Sequence, residues 1–319
     1  MLKNNILYIV IPCYKEEEVL PETSKRLKIK MNELIAQGKV SSQSRIMFVN
    51  DGSKDRTWEI IEALHKEDKL FSGVNLSRNR GHQNALLAGL MTAVQHADMI
   101  VSMDADLQDD INAVDAMVDA YHEGYEVVYG VRSSRQTDTF FKRFTAEAFY
   151  KLMKVLGVDI VFNHADYRLM SKRAVEGLAE FKEVNLFLRG IVPQIGYKWT
   201  TVEYARAERF AGESKYPLKK MLAFAFDGIT SFSVKPVRLI LLLGVIIFGV
   251  SIIALLWSLI TLLFGKTVSG WTSLIWSIWL LGGIQLLSLG VIGEYIGKVY
   301  NETKQRPRFI IERVLNKEE

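Results

Sequence analysis

At 319 residues the chain can bury a sizeable core and carry more than one structural unit. Its net charge of +4 gives no reason to expect nucleic acid as a partner. A single cysteine, Cys13, excludes an internal disulfide framework and a multi-cysteine zinc site.

No secretory signal is expected at the head of the chain, because "MLKNNILYIVIPCYKEEE" turns acidic after a short apolar-rich stretch. "ILYIVIP" (Ile6–Pro12) reads as a strand, and a charged helical stretch follows it to about Gln37. "RIMFVN" (Arg45–Asn50) is a second strand, "DRTWEIIEALHKE" a helix and "FSGVNLS" a third strand. "QNALLAGLMTAVQHA" is apolar almost all round, which predicts a buried helix. "DMIVSMD" and "YEVVYGV" are two more strands with a helix between them. Strands alternating with helices predict an α/β fold with a mostly parallel sheet covered on both faces. Ligands of such sheets gather outside the carboxyl ends of the strands. Polar residues stand at each of those ends: Tyr14 and Glu16, Asp51 and Ser53, Arg78 and Asn79, Asp104 and Asp106, and Arg132.

Beyond Arg135 the alternation loosens. "TFFKRFTAEAFYKLMKVL" predicts an amphipathic helix, and residues 216–236 predict interfacial helices with lysines near their start. No charged residue interrupts Leu239–Gly265 or Thr267–Gly293, and about 20 apolar residues suffice to span hydrocarbon. The expected layout is therefore a globular domain over 1–215, membrane helices over 237–265 and 269–297, and a basic tail over 298–319. Lys219, Lys220, Lys235 and Arg238 precede the hairpin; Lys298, Lys304, Arg306 and Arg308 follow it. Positive flanks stay on the cytoplasmic side, which predicts a multi-pass cell-membrane protein with its domain and both termini in the cytoplasm.

The stretch "IVSMDADLQDD" (Ile100–Asp110) carries the chemistry. An apolar strand breaks into four carboxylates, where like charges repel and burial of charge is costly. A cation relieves that cost. Asp104, Asp106 and Gln108 lie two apart and offer hard oxygen ligands suited to Mg²⁺ or Mn²⁺, which bridge proteins to substrate phosphates. In "NDGSKDRT" the chain turns at Gly52; Asp51 is placed to accept from a base or ribose, and Asp55 to cap the next helix. In "SRNRGHQNA" Gly81 opens a helix, where backbone can approach a ligand closely, and His82 beside it is expected to make a structural hydrogen bond.

The set "VIPCYKEEE", "FVNDGSKDRT", "LSRNRGHQNALLAG", "MDADLQDD" and "GVRSSR", in this order, resembles the core of family 2 inverting glycosyltransferases with the GT-A fold. "DYRLMSKRAV" and "RFAGESKYPLKKM", followed by two apolar helices, narrow the likeness to the polyprenyl-phosphate glycosyltransferases. That group includes dolichol-phosphate mannose synthase and the bacterial undecaprenyl-phosphate (bactoprenol) glucosyltransferases. The resemblance implies inverting transfer of a sugar from a nucleotide sugar, UDP-glucose first among the donors, to undecaprenyl phosphate for modification of a cell-envelope glycan. It implies that Pro12, Tyr14, Glu16, Asp51, Gly81, Asp104 and Arg132 bind the nucleotide sugar, with Asp104, Asp106 and Gln108 on a divalent metal. Asp166 matches the position of the catalytic carboxylate, with a structural pairing to Arg168 as the alternative. Arg143, Arg168, Arg209, Ser214, Lys215 and Tyr216 would meet the lipid and its phosphate. A separate flippase and a homo-oligomer, plausibly a tetramer, are implied as partners.

Two departures stand out. Asn50 occupies a position where many members carry Asp, and "QDD" replaces a proline-containing turn after the metal motif. A processive polysaccharide synthase is the alternative enzyme, but its "Q-x-x-R-W" signature is missing and one hairpin cannot form a translocation channel. A non-catalytic nucleotide-binding scaffold is the alternative from another class, and the intact D-x-D and Arg132 count against it.

Overall fold

A computed structural model describes residues 4–133, 164–184, 186–205, 235–263 and 270–316. In chain order the first elements are β1 (Leu7–Cys13), α1 (Leu20–Ala36), β2 (Arg45–Asn50), α2 (Thr57–Glu67) and β3 (Phe71–Leu76). There follow α3 (His82–Ala93), β4 (Met99–Ser102), α4 (Ala113–His122), β5 (Val127–Arg132) and β6 (His164–Ser171). The remainder are α5 (Lys172–Ala179), α6 (Leu188–Gln194), β7 (Trp199–Tyr204), α7 (Lys235–Leu263), α8 (Trp271–Lys304) and β8 (Ile311–Leu315).

The α/β class expected from the sequence is borne out. β1 is buried along its whole length because it lies at the centre of the sheet with helices on both faces. Leu7, Ile9 and Ile11 point to a core layer closed by Leu27 and Met31 of α1 and by Val114, Met117 and Val118 of α4. Tyr8 and Val10 point to the opposite layer, closed by Ala85, Leu86, Ala88 and Leu90 of α3. Burial on both faces is why these strands read as unbroken apolar runs rather than alternating ones.

The sheet is mostly parallel, as expected, with β6 and β8 running against the other strands. Among the described residues its eight strands run in the order β7-β5-β6-β4-β1-β2-β3-β8. β6 is antiparallel to both β4 and β5 and lies between them, so its start reaches the same edge as the ends of its neighbours. The segment expected to be a basic tail instead continues α8 to Lys304 and then forms β8, which pairs antiparallel with the outer edge of β3. Leu315 there is buried against the core, which gives the strand its anchor.

The segments expected to be membrane helices fall on α7 and α8, which touch each other. Among the described residues no helix is long and apolar enough to cross a membrane. The side chains of 251, 252 and 254–263 lie outside those described, so the uncharged run legible in the sequence is described only in part. The predicted amphipathic helix around Arg143, the interfacial segment up to residue 234, and Arg209, Ser214, Lys215 and Tyr216 lie outside the described residues.

Gly89 is where α3 meets the sheet most closely: a Cβ there would stand 2.4 Å from Val10 Cγ1 and 2.6 Å from Val49 Cγ2. Both contacts are branched core side chains with little room to move. Gly89→Ala should therefore cost ~1–3 kcal/mol of stability through overpacking, read as a lower midpoint in thermal unfolding; an unchanged midpoint would mean that the interface can relax.

Candidate functional site

The carboxyl edge of the sheet gathers the loops after β1, β2, β3 and β4 together with the beginning of β6. Pro12 and Cys13 end β1 in the core, and Tyr14 emerges with 45% of its surface exposed. Lys15 takes a positive φ of 58°, and its N–H donates to Ser53 Oγ at 3.0 Å. The Glu16 N–H donates to Thr57 Oγ1, which ties the first loop to the start of α2. Asp55 accepts from the N–H and hydroxyl of Thr57 in a local turn. The N-cap of α2 is Arg56 and no side chain caps that helix, so the capping role expected of Asp55 is not the one it has.

Gly52 makes the next turn possible. Its φ is +61°, and a Cβ would stand 2.5 Å from the backbone of Arg78 and Asn79. Only glycine combines that conformation with so close an approach. Asp51 beside it is buried, and its two oxygens accept from the N–H groups of Arg80 (2.6 Å) and Gly81 (2.9 Å). Burial raises the Asp51 pKa, with these two N–H groups opposing. The carboxylate therefore shapes the β3–α3 turn and sets Gly81, whose φ is +86°, at the mouth of the site.

β4 ends at Ser102, and its hydroxyl donates to the Asp166 carbonyl of β6 at 2.6 Å. That bond holds the beginning of β6 beside the D-x-D. His82, first residue of α3, lies between two carboxylates, with Nε2 3.5 Å from Asp104 Oδ1 and 3.7 Å from Asp166 Oδ2. Asp166 also meets Arg168 Nη2 at 3.0 Å and receives two bonds from Arg189 of α6, at 3.3 and 3.2 Å. Burial alone would raise the Asp166 pKa, but Arg189, Arg168 and His82 overcome it and hold the carboxyl well below the usual range. Asp166 is thus a fixed anion. Arg168 is 1% exposed and its Nη2 bonds Asp166, so its guanidinium braces that carboxylate inside the protein rather than reaching toward a lipid phosphate.

Asp104 has the opposite balance. Its side chain keeps 43% of its surface open, yet the enclosing walls raise its pKa, and Asp166 and Asp106 add repulsion against the pull of His82 and Arg189. Asp106 Oδ1 accepts from the Gln108 N–H at 3.2 Å, which fixes that carboxylate. Leu107 between them takes a φ of 58°, an unusual conformation for a side chain of its size. The "QDD" turn is pinned from behind: Tyr204 donates to Asp109 Oδ1 at 2.7 Å, and Tyr167 to the Asp110 carbonyl at 2.9 Å. Asp109 is pushed up to about 6, by burial first and then by Asp104. Arg132, at the end of β5, faces Asp109 and Tyr204.

Among the described residues no three His, Cys, Asp or Glu side chains form a metal-holding group. The pair Asp104 and Asp106 nonetheless fits a hard cation that takes most of its ligands from outside the protein. Asp104 is open to solvent and under like-charge repulsion from Asp166 and Asp106, which a cation would relieve. Arg189 was not foreseen. In "FLRGIV" nothing local marks it, because its partner lies on another element 23 positions away. His82, expected in a structural role, stands between the two acidic groups.

Arg168 depends on Asp166 for compensation inside the protein. Asp166→Asn should therefore destabilise the fold by ~3–5 kcal/mol, as expected when one member of a buried pair is removed. Arg189→Gln, at a side chain with 32% of its surface exposed, should cost clearly less. Chemical unfolding of the three proteins checks this; equal stabilities would show that the cluster does not hold the edge together.

The chain matches the family described as Glycosyl transferase family 2 over residues 8–178. "Uncharacterized glycosyltransferase YkoT" of Bacillus subtilis (strain 168) is 54% identical over 96% of this chain and 91% of its own length. "Prophage bactoprenol glucosyl transferase homolog" of Escherichia coli (strain K12) is 42% identical over 96% of this chain and 98% of its own. "Bactoprenol glucosyl transferase" of Shigella phage SfV is 41% identical over 95% of this chain and 97% of its own. Among solved structures, glucosyl-3-phosphoglycerate synthase from Mycobacterium tuberculosis aligns with a TM-score of 0.45 at 19% identity, covering 72% of this chain and 79% of that one. A family match over more than half of the sequence and relatives alignable from end to end agree on one conclusion: the chain belongs to glycosyl transferase family 2.

Proposed function

We propose that the protein transfers a sugar, with inversion, from a nucleotide sugar to undecaprenyl phosphate at the cytoplasmic face of the cell membrane, with UDP-glucose as donor. The observation that carries this reading is the cluster of Asp104, His82, Asp166 and Arg189 at the carboxyl edge of the sheet. It stands in a chain that aligns almost completely with relatives named bactoprenol glucosyl transferases.

Asp104 and Asp106 would hold Mg²⁺ or Mn²⁺, which would stabilise the negative charge that develops on the departing diphosphate. Arg189 stands beside Asp104 with its guanidinium braced by Asp166, positioned to receive anionic oxygen without a large search of conformations. The acceptor, a phosphate monoester, is already an anion near neutral pH and needs no base. That suits Asp166, whose carboxyl Arg189, Arg168 and His82 hold well below the usual range. Its part is to fix Arg189 and to place negative charge where positive charge builds on the sugar ring.

The bilayer reading is supported by α7 and α8, whose described apolar side chains, among them Leu241, Val245, Ile253, Leu286 and Leu289, stand exposed. Exposed apolar surface on that scale calls for a lipid or protein cover. The basic flanks favour the cytoplasmic side for the domain. β8 adds a constraint, because the chain must return to the sheet after leaving both helices.

Purified protein given undecaprenyl phosphate, Mg²⁺ and radiolabelled UDP-glucose should move label into the organic phase. Label in a water-soluble polymer, or none from any nucleotide sugar, would refute the proposal. Activity should vanish in EDTA and return with Mg²⁺ or Mn²⁺, and Asp106→Asn should lower turnover by at least ~100-fold with the fold intact. Full turnover in EDTA would remove the metal from the mechanism.

A further inference from the structure

The C-terminal strand reaches the nucleotide loops through a chain of side chains. At the β3–β8 edge Asn75 is paired with Arg313 and Leu76 with Ile311, so Glu312 is the extra residue of a bulge. A bulge re-aims a side chain, and Glu312 Oε2 accepts from Asn75 Nδ2 at 2.9 Å. Asn75 Oδ1 in turn accepts from Asn50 Nδ2 at 2.7 Å, across neighbouring strands where the two residues are in register. Asn50 Oδ1 accepts from the Ser53 N–H at 3.2 Å, and Ser53 Oγ accepts from the Lys15 N–H at 3.0 Å.

The polarity of this chain is fixed from one end. A carboxylate only accepts, so Glu312 forces the Asn75 amide nitrogen toward itself and the Asn75 oxygen toward Asn50. Asn50 must then present its nitrogen to Asn75 and its oxygen to Ser53. An aspartate at position 50 would face the Asn75 oxygen with another acceptor and break the sequence of bonds. Asn50, the departure noted in the sequence, and Glu312 therefore form a matched pair.

We propose that Glu312 is a positioning residue for donor binding: through Asn75 and Asn50 it holds the Ser53 and Lys15 turns that flank Tyr14 and Asp51. The structural half of this statement stands on the hydrogen bonds alone; the donor half rests on the nucleotide-sugar reading above. The strand that follows the two apolar helices thereby sets the shape of the loops after β1 and β2.

The test uses the full chain in detergent with three variants, Glu312→Ala, Glu312→Gln and Asn50→Asp. Glu312 is exposed, so the first two should fold. Amide hydrogen exchange over residues 13–17 and 50–54 should quicken in Glu312→Ala and Asn50→Asp, and stay near wild type in Glu312→Gln, whose amide oxygen still accepts. Affinity for UDP should fall roughly three- to tenfold in the first two and recover in Glu312→Gln, the scale of one hydrogen bond. Unchanged exchange in those segments, or a Glu312→Gln protein as loose as Glu312→Ala, overturns the relay. Faster exchange with unchanged UDP affinity overturns the positioning role. A wild-type protein that does not bind UDP sinks the nucleotide reading instead, and the exchange arm still decides the relay.

Discussion

The carboxylate of Asp166, held between two guanidiniums, is the constraint around which the edge of this sheet is organised. Removing a charge from water costs several kcal/mol, and only close partners recover it. Arg168 supplies one partner from the same strand and Arg189 another from α6, while His82 of α3 approaches from the third side. Three elements distant in sequence are thereby brought to one point. The negative charge of Asp166 also acts on Asp104, which is left crowded by negative charge and open to a cation.

The insertion of β6 makes this arrangement possible. A sheet of parallel strands alone would present only carboxyl ends at the site, each followed by a loop. An antiparallel strand brings its beginning there, and with it side chains that continue straight into regular structure. Asp166 is consequently carried on a paired strand and tied to β4 by Ser102, where a loop would leave it free to drift. The same economy holds behind the D-x-D, where Tyr204 of β7 and Tyr167 of β6 grip the turn through Asp109 and Asp110.

The first five strands were legible because double burial writes them as apolar runs, and the D-x-D was legible because charge directly after such a run is unusual. β6 was not, since "HADYRLMS" mixes ionised and apolar residues, and its charges enter the interior as a pair that no local pattern announces. β8 was hidden for another reason: "IERVL" is short and charged, and it becomes a strand only because β3 offers an edge to it. At the site, sequence found the carboxylates but not their partners. Asp51 looked free to meet a ligand, yet its oxygens serve the Arg80 and Gly81 backbone, a debt of unsatisfied N–H groups that only the folded turn exposes. Arg189 and the Asn50–Asn75 pair are likewise products of tertiary proximity.

The place of β8 in the chain bears on how the protein comes to be made. Synthesis delivers the first seven strands before α7 and α8, and the eighth after both. Until then the edge of β3 stands open, with unpaired backbone groups of the kind that recruit foreign strands. The nascent domain is therefore most exposed to misassembly while its apolar helices are still emerging, and the ribosome releases the segment that closes the sheet only once they are complete. Completion of the sheet therefore waits on the synthesis of both helices.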